Sequence, residues 1–485
     1  MTLLLLAALM LQGITSSCSD KAPGAMDDPE PAVKVLTIAM NSFSGGQLTL
    51  NDLSDGLYDL EFYAKGQGNG YVEANGKTTT VETSSGAQQH GYVRGIEVSG
   101  GRCTIAVHGE DVSAFTTMKL IKTGSPFTLL KGGDISELTL VEQKGGKYYD
   151  ADGKQGDCLD ILSANGMNLV RLRLYNDPGN PNFAPSNRLP AGIQTQEDIL
   201  RLAQRAKAAG MQILLSFHYS DYWTNGETQT IPHEWDGMNA EQMTQALYDF
   251  TYNFMERMKA QGTAPEYVSL GNETQAGMLY PLGGPLNSSD PNYTTLVKNL
   301  TGFYNAGYDA VKTSNPDSRV IIHLAGAGDK DMNNWYFGLM NDWGVQYDII
   351  GSSYYPFWTG NTVKEACEWA EYITKRYDRD LLFMETGYAW SQTIDDGVTS
   401  GQLSHNGPYT DMSKNGQKNF MNELVNQIKR VGNQRVLGFV YWDPIFIPAG
   451  DAGWELGAKN IVSNSALFGF GGEALPVLDI FRNNN

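Results

Sequence analysis

The sequence is poor in cysteine, with four residues in 485, at positions 18, 103, 158 and 367. So few cannot form a dense disulfide framework. Positive charge is also scarce. Thirty-five Lys and Arg stand against 54 Asp and Glu, a formal net charge of −19. Such a chain repels a phosphate backbone, which disfavours nucleic acid as a partner. No run after the first twenty residues is long and apolar enough to span a bilayer. Histidine numbers six, without His-x-His or His-Glu-x-x-His spacing. A metal-dependent hydrolase would need His218 and His323 as ligands, and the pattern does not supply the set. What is present is globular: 41% apolar and 18% charged residues, enough for a sizeable core and two or three domains.

The first 17 residues read as a signal peptide, since Met1 to Thr15 is Leu-, Ala- and Met-rich and uncharged. Ser16-Ser17-Cys18 resembles a bacterial lipobox, which makes Cys18 the candidate lipidation site. Residues 18–34 are rich in Asp, Pro, Ala and Gly and read as a flexible tether. The expectation is an exported protein, lipid-anchored at the bacterial outer membrane or cell surface. The lipid would be its only link to a membrane.

Residues 35–124 carry a period of two. Leu57-Tyr58-Asp59-Leu60-Glu61-Phe62 alternates as a half-buried strand does. Asn75-Gly76, between Gly70–Ala74 and Lys77–Thr83, is a two-residue hairpin signal. Ser99-Gly100-Gly101 divides Tyr92–Val98 from Arg102–His108 in the same way. The expected fold here is a small antiparallel β-sandwich. All nine tryptophans lie beyond it. Only tyrosines such as Tyr71 and Tyr92 could offer a sugar platform, so a spacer and a carbohydrate-binding module both stay open.

From residue 125 to 485 short apolar runs alternate with helical stretches. The candidate strands are Phe127–Gly132, Asn168–Leu174, Gln212–Phe217, Tyr267–Leu270, Val320–Leu324, Tyr347–Ser353, Leu381–Met384 and Val436–Trp442. Helices are expected at Glu197–Ala209, Ala240–Ala260 and Gln417–Arg430. Strands without a polar face suit a parallel sheet covered on both sides. Eight such units predict a (β/α)8 TIM barrel. A doubly wound sheet is the alternative, but no Gly-x-Gly-x-x-Gly turn follows an early strand.

Chemistry in such a barrel sits at the C-terminal ends of the strands. The residues there are Arg171, Arg173, His218, Asp221, Trp223, Asn272, Glu273, His323, Tyr354, Tyr355, Trp358, Glu385 and Trp442. Two carboxylates among aromatics and hydrogen-bonding groups suit a neutral polyhydroxy ligand, whose apolar face stacks on rings. Glycoside cleavage needs such a pair, one to protonate the leaving oxygen and one to attack or to activate water. Glu273 and Glu385 end the fourth and seventh strands, on opposite sides of the mouth. A separation of about 5–5.5 Å implies retention, and about 6.5–9.5 Å implies inversion.

The pair Asn272-Glu273 with Glu385 resembles clan A glycoside hydrolases. Narrower motifs resemble glycoside hydrolase family 53, from about Phe127 to Phe481. They are Lys131-Gly132-Gly133-Asp134-Ile135-Ser136, Val170–Leu174, His218–Trp223, Gly271-Asn272-Glu273, Tyr354–Trp358, Glu385–Tyr388, Tyr441–Pro444 and Ala466-Leu467-Phe468. The resemblance does not reach the β domain. It implies a retaining arabinogalactan endo-β-1,4-galactanase that needs no cofactor and acts on pectin side chains and galacto-oligosaccharides. It implies Glu273 as acid/base, Glu385 as nucleophile and Asn272 as a ligand of the sugar 2-hydroxyl. Arg173 is then placed to keep Glu385 ionised, since a guanidinium favours a charged carboxylate. His218 and Tyr355 are expected to touch substrate, as are Asp221, His323 and Tyr354. Trp223, Trp235, Trp358 and Trp442 are expected stacking platforms. A structural calcium found in some family members is not expected, because Ser391–Gly397 lacks the alternating Asp, His and Asn. Cys158 and Cys367 read as buried apolar residues. A different clan A β-1,4-endoglycanase and a non-catalytic glycan-binding surface lipoprotein remain the alternatives.

Overall fold

Alternation of apolar and polar residues builds the first unit, and continuous apolar strands build the second. The computed structural model describes residues 35–65, 69–82, 89–109, 114–123, 128–394 and 403–482. The signal segment, Cys18 with its tether, Thr83, Phe127 and Asp395-Asp396-Gly397 lie outside the described residues.

The first unit has eight strands: β1 (Val35–Ile38), β2 (Gln47–Leu50), β3 (Gly56–Ala64), β4 (Asn69–Ala74), β5 (Lys77–Glu82), β6 (Gln89–Val98), β7 (Cys103–His108) and β8 (Phe115–Thr123). They form two antiparallel four-stranded sheets, ordered β1-β8-β3-β6 and β2-β7-β4-β5. That order is the eight-stranded jelly roll. Leu60, Phe62, Val93 and Met118 of one sheet meet Val72, Val81 and Ile105 of the other. Asn75 (φ 45°) and Gly76 (φ 82°) make the β4–β5 hairpin, since its turn needs both residues left-handed. Gly100 (φ 66°) and Gly101 (φ 71°) make the expected tight turn, closed by an antiparallel bridge between Ser99 and Arg102, but the strands then part. β6 and β7 belong to different sheets, and the turn is the corner between them. Turn residues mark a reversal but not which sheet the next strand joins.

The second unit is a closed parallel barrel: β9 (Leu130–Asp134), β10 (Leu169–Leu174), β11 (Gln212–Phe217), β12 (Tyr267–Leu270), β13 (Arg319–Leu324), β14 (Ile349–Ser353), β15 (Asp380–Thr386) and β16 (Val436–Tyr441). The outward positions Val170, Leu172, Ile213, Leu215, Ile322 and Ile350 join a large core with the surrounding helices. Among these helices, Gln196–Ala208 is capped by Thr195 and Ala240–Ala260 by a capping box from Asn239. The inward positions change character along each strand. Leu130, Leu169, Leu214, Ile321, Ile349 and Leu382 fill the lower interior. Two or four residues further up come Asp134, Arg171, Ser216, His323 and Ser353, all buried. The barrel is thus oily at its base and polar beneath its mouth.

The jelly roll docks at the base. His90 meets Asp378, and the Arg94 Nε donates to the Gln434 carbonyl at 3.3 Å. Asp378 and Gln434 stand just before β15 and β16, at the N-terminal ends of the strands. Among the described residues, none of the first unit lines the mouth.

Candidate active site

A cleft of about 790 Å³ opens over the C-terminal ends of the barrel strands. Three side chains leave those ends with left-handed backbone: Tyr219 (φ 50°), Glu273 (φ 50°) and Asp443 (φ 54°). Such conformations cost non-glycine residues about 1–3 kcal/mol and survive only where the surroundings enforce them. Gly271, two residues before Glu273, has φ 82°, and a Cβ there would lie 2.6 Å from Thr274 Cγ2. The Gly-Asn-Glu turn thus needs its glycine to bring Glu273 to the axis.

Glu385 faces a guanidinium, and it is that of Arg171. The Arg171 Nη1 donates to Glu385 Oε1 at 2.5 Å, and Nη2 donates to Asn272 Oδ1 at 2.7 Å. The Tyr355 hydroxyl donates to Glu385 Oε2 at 3.0 Å. Burial opposes the Arg171 charge, but Glu385 and Asp134 outweigh it and hold the group protonated. Arg173 does not have the role expected of it. It lines the cleft, yet its Nε donates to Asp134 at 3.0 Å, and its Nη2 reaches Glu137 and, at 3.4 Å, Asp443. The physical reason is supply: three buried carboxyls surround Arg173, and none of them is Glu385.

Glu273 lies in the opposite electrostatic condition. Burial and the charge of Glu385 push its carboxyl up to about 7, against the pull of a Ser353 hydrogen bond and of Arg171. One oxygen of each carboxyl lies within 4.8 Å of the other. An approach this close fits the short separation of the retaining class rather than the wider one of the inverting class.

His218 is neutral, pulled well below the usual histidine range by burial and then by Arg171, Arg173 and His323. Its Nδ1 pairs with Thr224 Oγ1 at 2.7 Å, while its buried Nε2 has no partner and lines the cleft. Asn272 also lines the cleft, with Nδ2 donating to the Thr224 carbonyl at 2.8 Å. Trp223 and Trp442 form an aromatic wall with Trp454, whose ring lies 4.8 Å from that of Trp442. Trp358 stands on the rim, 53% exposed, edge-on to Tyr355 at 4.7 Å.

Four expected ligands do not line the cleft. Trp235 is core, packed edge-on against Phe250. Tyr354 is core too, and its hydroxyl donates to the Asn361 carbonyl at 3.0 Å. Tyr354 and Tyr355 are neighbours at a strand end, where successive side chains point opposite ways, so only Tyr355 can reach the axis. Asp221 accepts from the His233 N–H at 2.6 Å and braces its own loop. His323 lies below the cleft floor, with Nε2 on Ser353 Oγ at 2.9 Å. Arg171, named from the sequence only as a strand-end residue, is the guanidinium that faces Glu385. Conversely, Thr224, Ser353 and Trp454 are structural partners of the site that the sequence does not disclose, although Ser353 leaves a trace as the polar end of the strand Ile349–Ser353.

Among the described residues, two groups of three come close enough to hold a cation: Glu273, His323 and Glu385, and Asp134, Glu137 and Asp443. Each already has a guanidinium as counter-charge, from Arg171 and Arg173 respectively. A metal ion there would oppose an arginine, and His323 has spent Nε2 on Ser353. Neither group fits a resident metal. Cys103, Cys158 and Cys367 are buried and unpaired.

The sequence model described as Glycosyl hydrolase family 53 matches residues 130–481. An uncharacterized protein in the bgaB 5′ region of Niallia circulans is 30% identical over 351 residues, covering 71% of this chain and 91% of the relative. An endo-beta-1,4-galactanase of Bacillus subtilis is 27% identical, covering 73% and 85%. Among solved structures, the Ignisphaera aggregans GH53 catalytic domain is 35% identical with a TM-score of 0.67, covering 74% of this chain and 97% of that one.

Proposed function

The chain belongs to glycosyl hydrolase family 53, and from that premise we propose that it cleaves internal β-1,4-galactosidic bonds of galactan and arabinogalactan, with retention. The observation that carries this reading is the carboxyl pair: oxygens within 4.8 Å, Glu385 facing Arg171, and Glu273 raised to about 7. Glu385 attacks the anomeric carbon while Glu273 gives its proton to the departing glycosidic oxygen. The C–O bond breaks, and a glycosyl ester forms on Glu385. That ester removes the negative charge that helped to raise Glu273, so its carboxyl falls in pKa and becomes a base. Water then attacks the ester, gives its proton to Glu273 and releases Glu385. Two inversions leave a β product. The two carboxyls supply all the proton traffic, so the reaction calls for no cofactor.

In this reading His218 and Asn272 take sugar hydroxyls, and Trp223 and Trp442, backed by Trp454, take an apolar sugar face. The cleft, about 790 Å³, is open to solvent rather than a closed pocket, which suits attack within a chain. The names of the relatives, endo-beta-1,4-galactanase from B. subtilis among them, specify galactan. Galactose differs from glucose at one axial hydroxyl, and an unpaired partner for it discriminates by up to about 10⁴–10⁵. Product analysis on galactan, glucan, mannan and xylan tests the reading. The expected early products are a spread of galacto-oligosaccharides with β anomers by proton NMR. Galactose alone, initial α anomer, or equal rates on glucan would refute it.

We further infer that the protein is exported and lipid-anchored through Cys18 at the outer membrane or cell surface. Support comes from the apolar leader, Ser16-Ser17-Cys18 and the polar tether. Metabolic labelling with a clickable fatty acid should mark the parent and not Cys18→Ala. Label on the variant would end the idea.

A further inference from the structure

His323 was expected to touch sugar, yet it sits beneath the cleft and points at Ser353. The Ser353 hydroxyl donates to Glu273 Oε1 at 2.7 Å, and His323 Nε2 lies 2.9 Å from the same hydroxyl oxygen. A hydroxyl has one hydrogen. If Ser353 gives it to Glu273, the Nε2 of His323 must be the donor to Ser353. His323 is completely buried and its Nδ1 has no partner. With hydrogen on Nε2, the orphan is an acceptor lone pair. With hydrogen on Nδ1, it would be a buried N–H without an acceptor, the rarer and costlier state. Burial and then the Arg171 charge also keep the ring neutral, well below the usual histidine range.

We propose that His323 and Ser353 form a positioning relay that fixes which oxygen of Glu273 carries the catalytic proton. The proposal rests on Glu273 being the acid/base. Oε1 accepts from Ser353 and is thereby the carbonyl oxygen of the neutral acid. The proton is left on Oε2, which Ser353 does not engage. Without the Nε2 donor, the Ser353 hydroxyl is free to rotate, and the acid proton divides between both oxygens, one of them unproductive. His323 is thus a positioning residue acting through Ser353, not a sugar ligand. The relay also stabilises the carboxylate that serves as base in the second step. The charged and titratable groups around Glu273 are Glu385 from β15, Arg171 from β10, His323 from β13 and Tyr355 after β14, with the Gly226 N–H from the loop after β11.

The test begins with the parent protein. Nitrogen NMR of ¹⁵N-histidine-labelled enzyme should show His323 as the neutral Nε2–H tautomer. An Nδ1–H tautomer or a charged ring overturns the relay, and this needs no variant and no substrate. Titration of Glu273 by carboxyl-labelled glutamate NMR follows, with Glu273→Gln identifying the signal. Ser353→Ala should raise the carboxyl by about one pH unit, as loss of one hydrogen bond to a charged group implies. His323→Asn, whose amide falls short of Ser353, should raise it in the same direction. His323→Gln, whose amide reaches the place of Nε2, should restore the parent value. The double variant Ser353→Ala/His323→Asn should equal Ser353→Ala alone, because one residue acts through the other. Activity on galactan should fall about tenfold in the first two variants, with the alkaline limb of kcat/KM moved upward. Additive effects, or a Glu273 titration indifferent to Ser353, would overturn the proposal. A parent inert on galactan would sink the functional reading and leave the relay to be judged by the substrate-free titrations.

Discussion

Arg171, not Arg173, should set the reactivity of Glu385, and two lysine substitutions separate them. Arg171 makes its two short contacts with one fork, to Glu385 at 2.5 Å and to Asn272 at 2.7 Å, with Ser216 Oγ further off at 3.4 Å. Lysine keeps the charge but offers a single nitrogen, so Arg171→Lys must lose one contact. A hydrogen bond to a charged group is worth about 1.5–3 kcal/mol. At 1.36 kcal/mol per decade, the loss is about 10–100-fold in the step that uses Glu385. Arg171→Gln goes further and strands a buried carboxylate, a change of about 3–5 kcal/mol shared between stability and rate. Arg173→Lys should instead disturb Asp134, Glu137 and Asp443 and lower the melting temperature, with Glu385 still faced by Arg171. The assay is inactivation by an activated 2-deoxy-2-fluoro-β-galactoside, whose leaving group needs no proton. The rate of ester formation, followed by intact-protein mass spectrometry, then reports Glu385 alone. If Arg173→Lys slows trapping more than Arg171→Lys does, the assignment of the two guanidiniums is wrong.

The acid should announce itself by pH. Glu273 sits at about 7 in the free enzyme and must start protonated, so kcat/KM on galactan should decline above about pH 7. Glu273→Gln should lose about 10²–10⁴-fold on galactan yet keep ester formation on an activated aryl galactoside, without that alkaline limb; full activity on galactan would remove Glu273 from the role. At the base of the barrel, His90 bonds Asp378 and Glu61. Burial lowers His90, but the two carboxylates win and raise it above 6.5, while Asp378 and Glu61 are both held at about 2. The His90 contribution is therefore whole below pH 6.5 and disappears as pH rises through the raised value, while that of the two carboxylates is whole above about pH 4.5 and is lost as pH falls towards about 2. Asp378 is half-exposed, so His90→Phe should cost only about 1–2 kcal/mol at pH 6 and less at pH 10. A parent-minus-variant difference in melting temperature that ignores pH would contradict the latch.

The fold was legible because its signals are local. Eight apolar runs bounded by helices state the barrel, and each forms a strand within a few residues of its expected place. The jelly roll was half legible. Leu57–Phe62 announces a strand and Asn75-Gly76 a hairpin, but the Ser99–Gly101 corner looks like a hairpin too. Whether a strand pairs with its predecessor or crosses to the other sheet depends on contacts tens of residues away. The docking of His90 on Asp378, 288 residues later, has no local trace at all.

The site divides along the same line. Glu273 and Glu385 were readable because strand order alone puts them across the mouth. Arg171 and Arg173 were not separable, because residues two apart on a strand point the same way and both enter the barrel. What separates them is a balance of charge. Asp134, Glu137, Asp443 and Glu385 are four buried carboxyls facing two guanidiniums. Two uncompensated negative charges are too costly in such a place. Burial raises Asp443 far above the usual carboxylate range and raises Glu137 as well, so this hydrogen-bonded pair is where the surplus negative charge is taken up as protons. Arg173 is then engaged by Asp134 and by the Glu137–Asp443 pair, and Arg171 is the guanidinium left for Glu385. A sequence displays six ionisable side chains at strand ends. It does not display which of them are charged, because that is decided by separations of a few ångströms. The same rule governs Glu273, whose carboxyl is kept protonated by its own burial and by the charge of Glu385 rather than by the Asn-Glu motif that marks it.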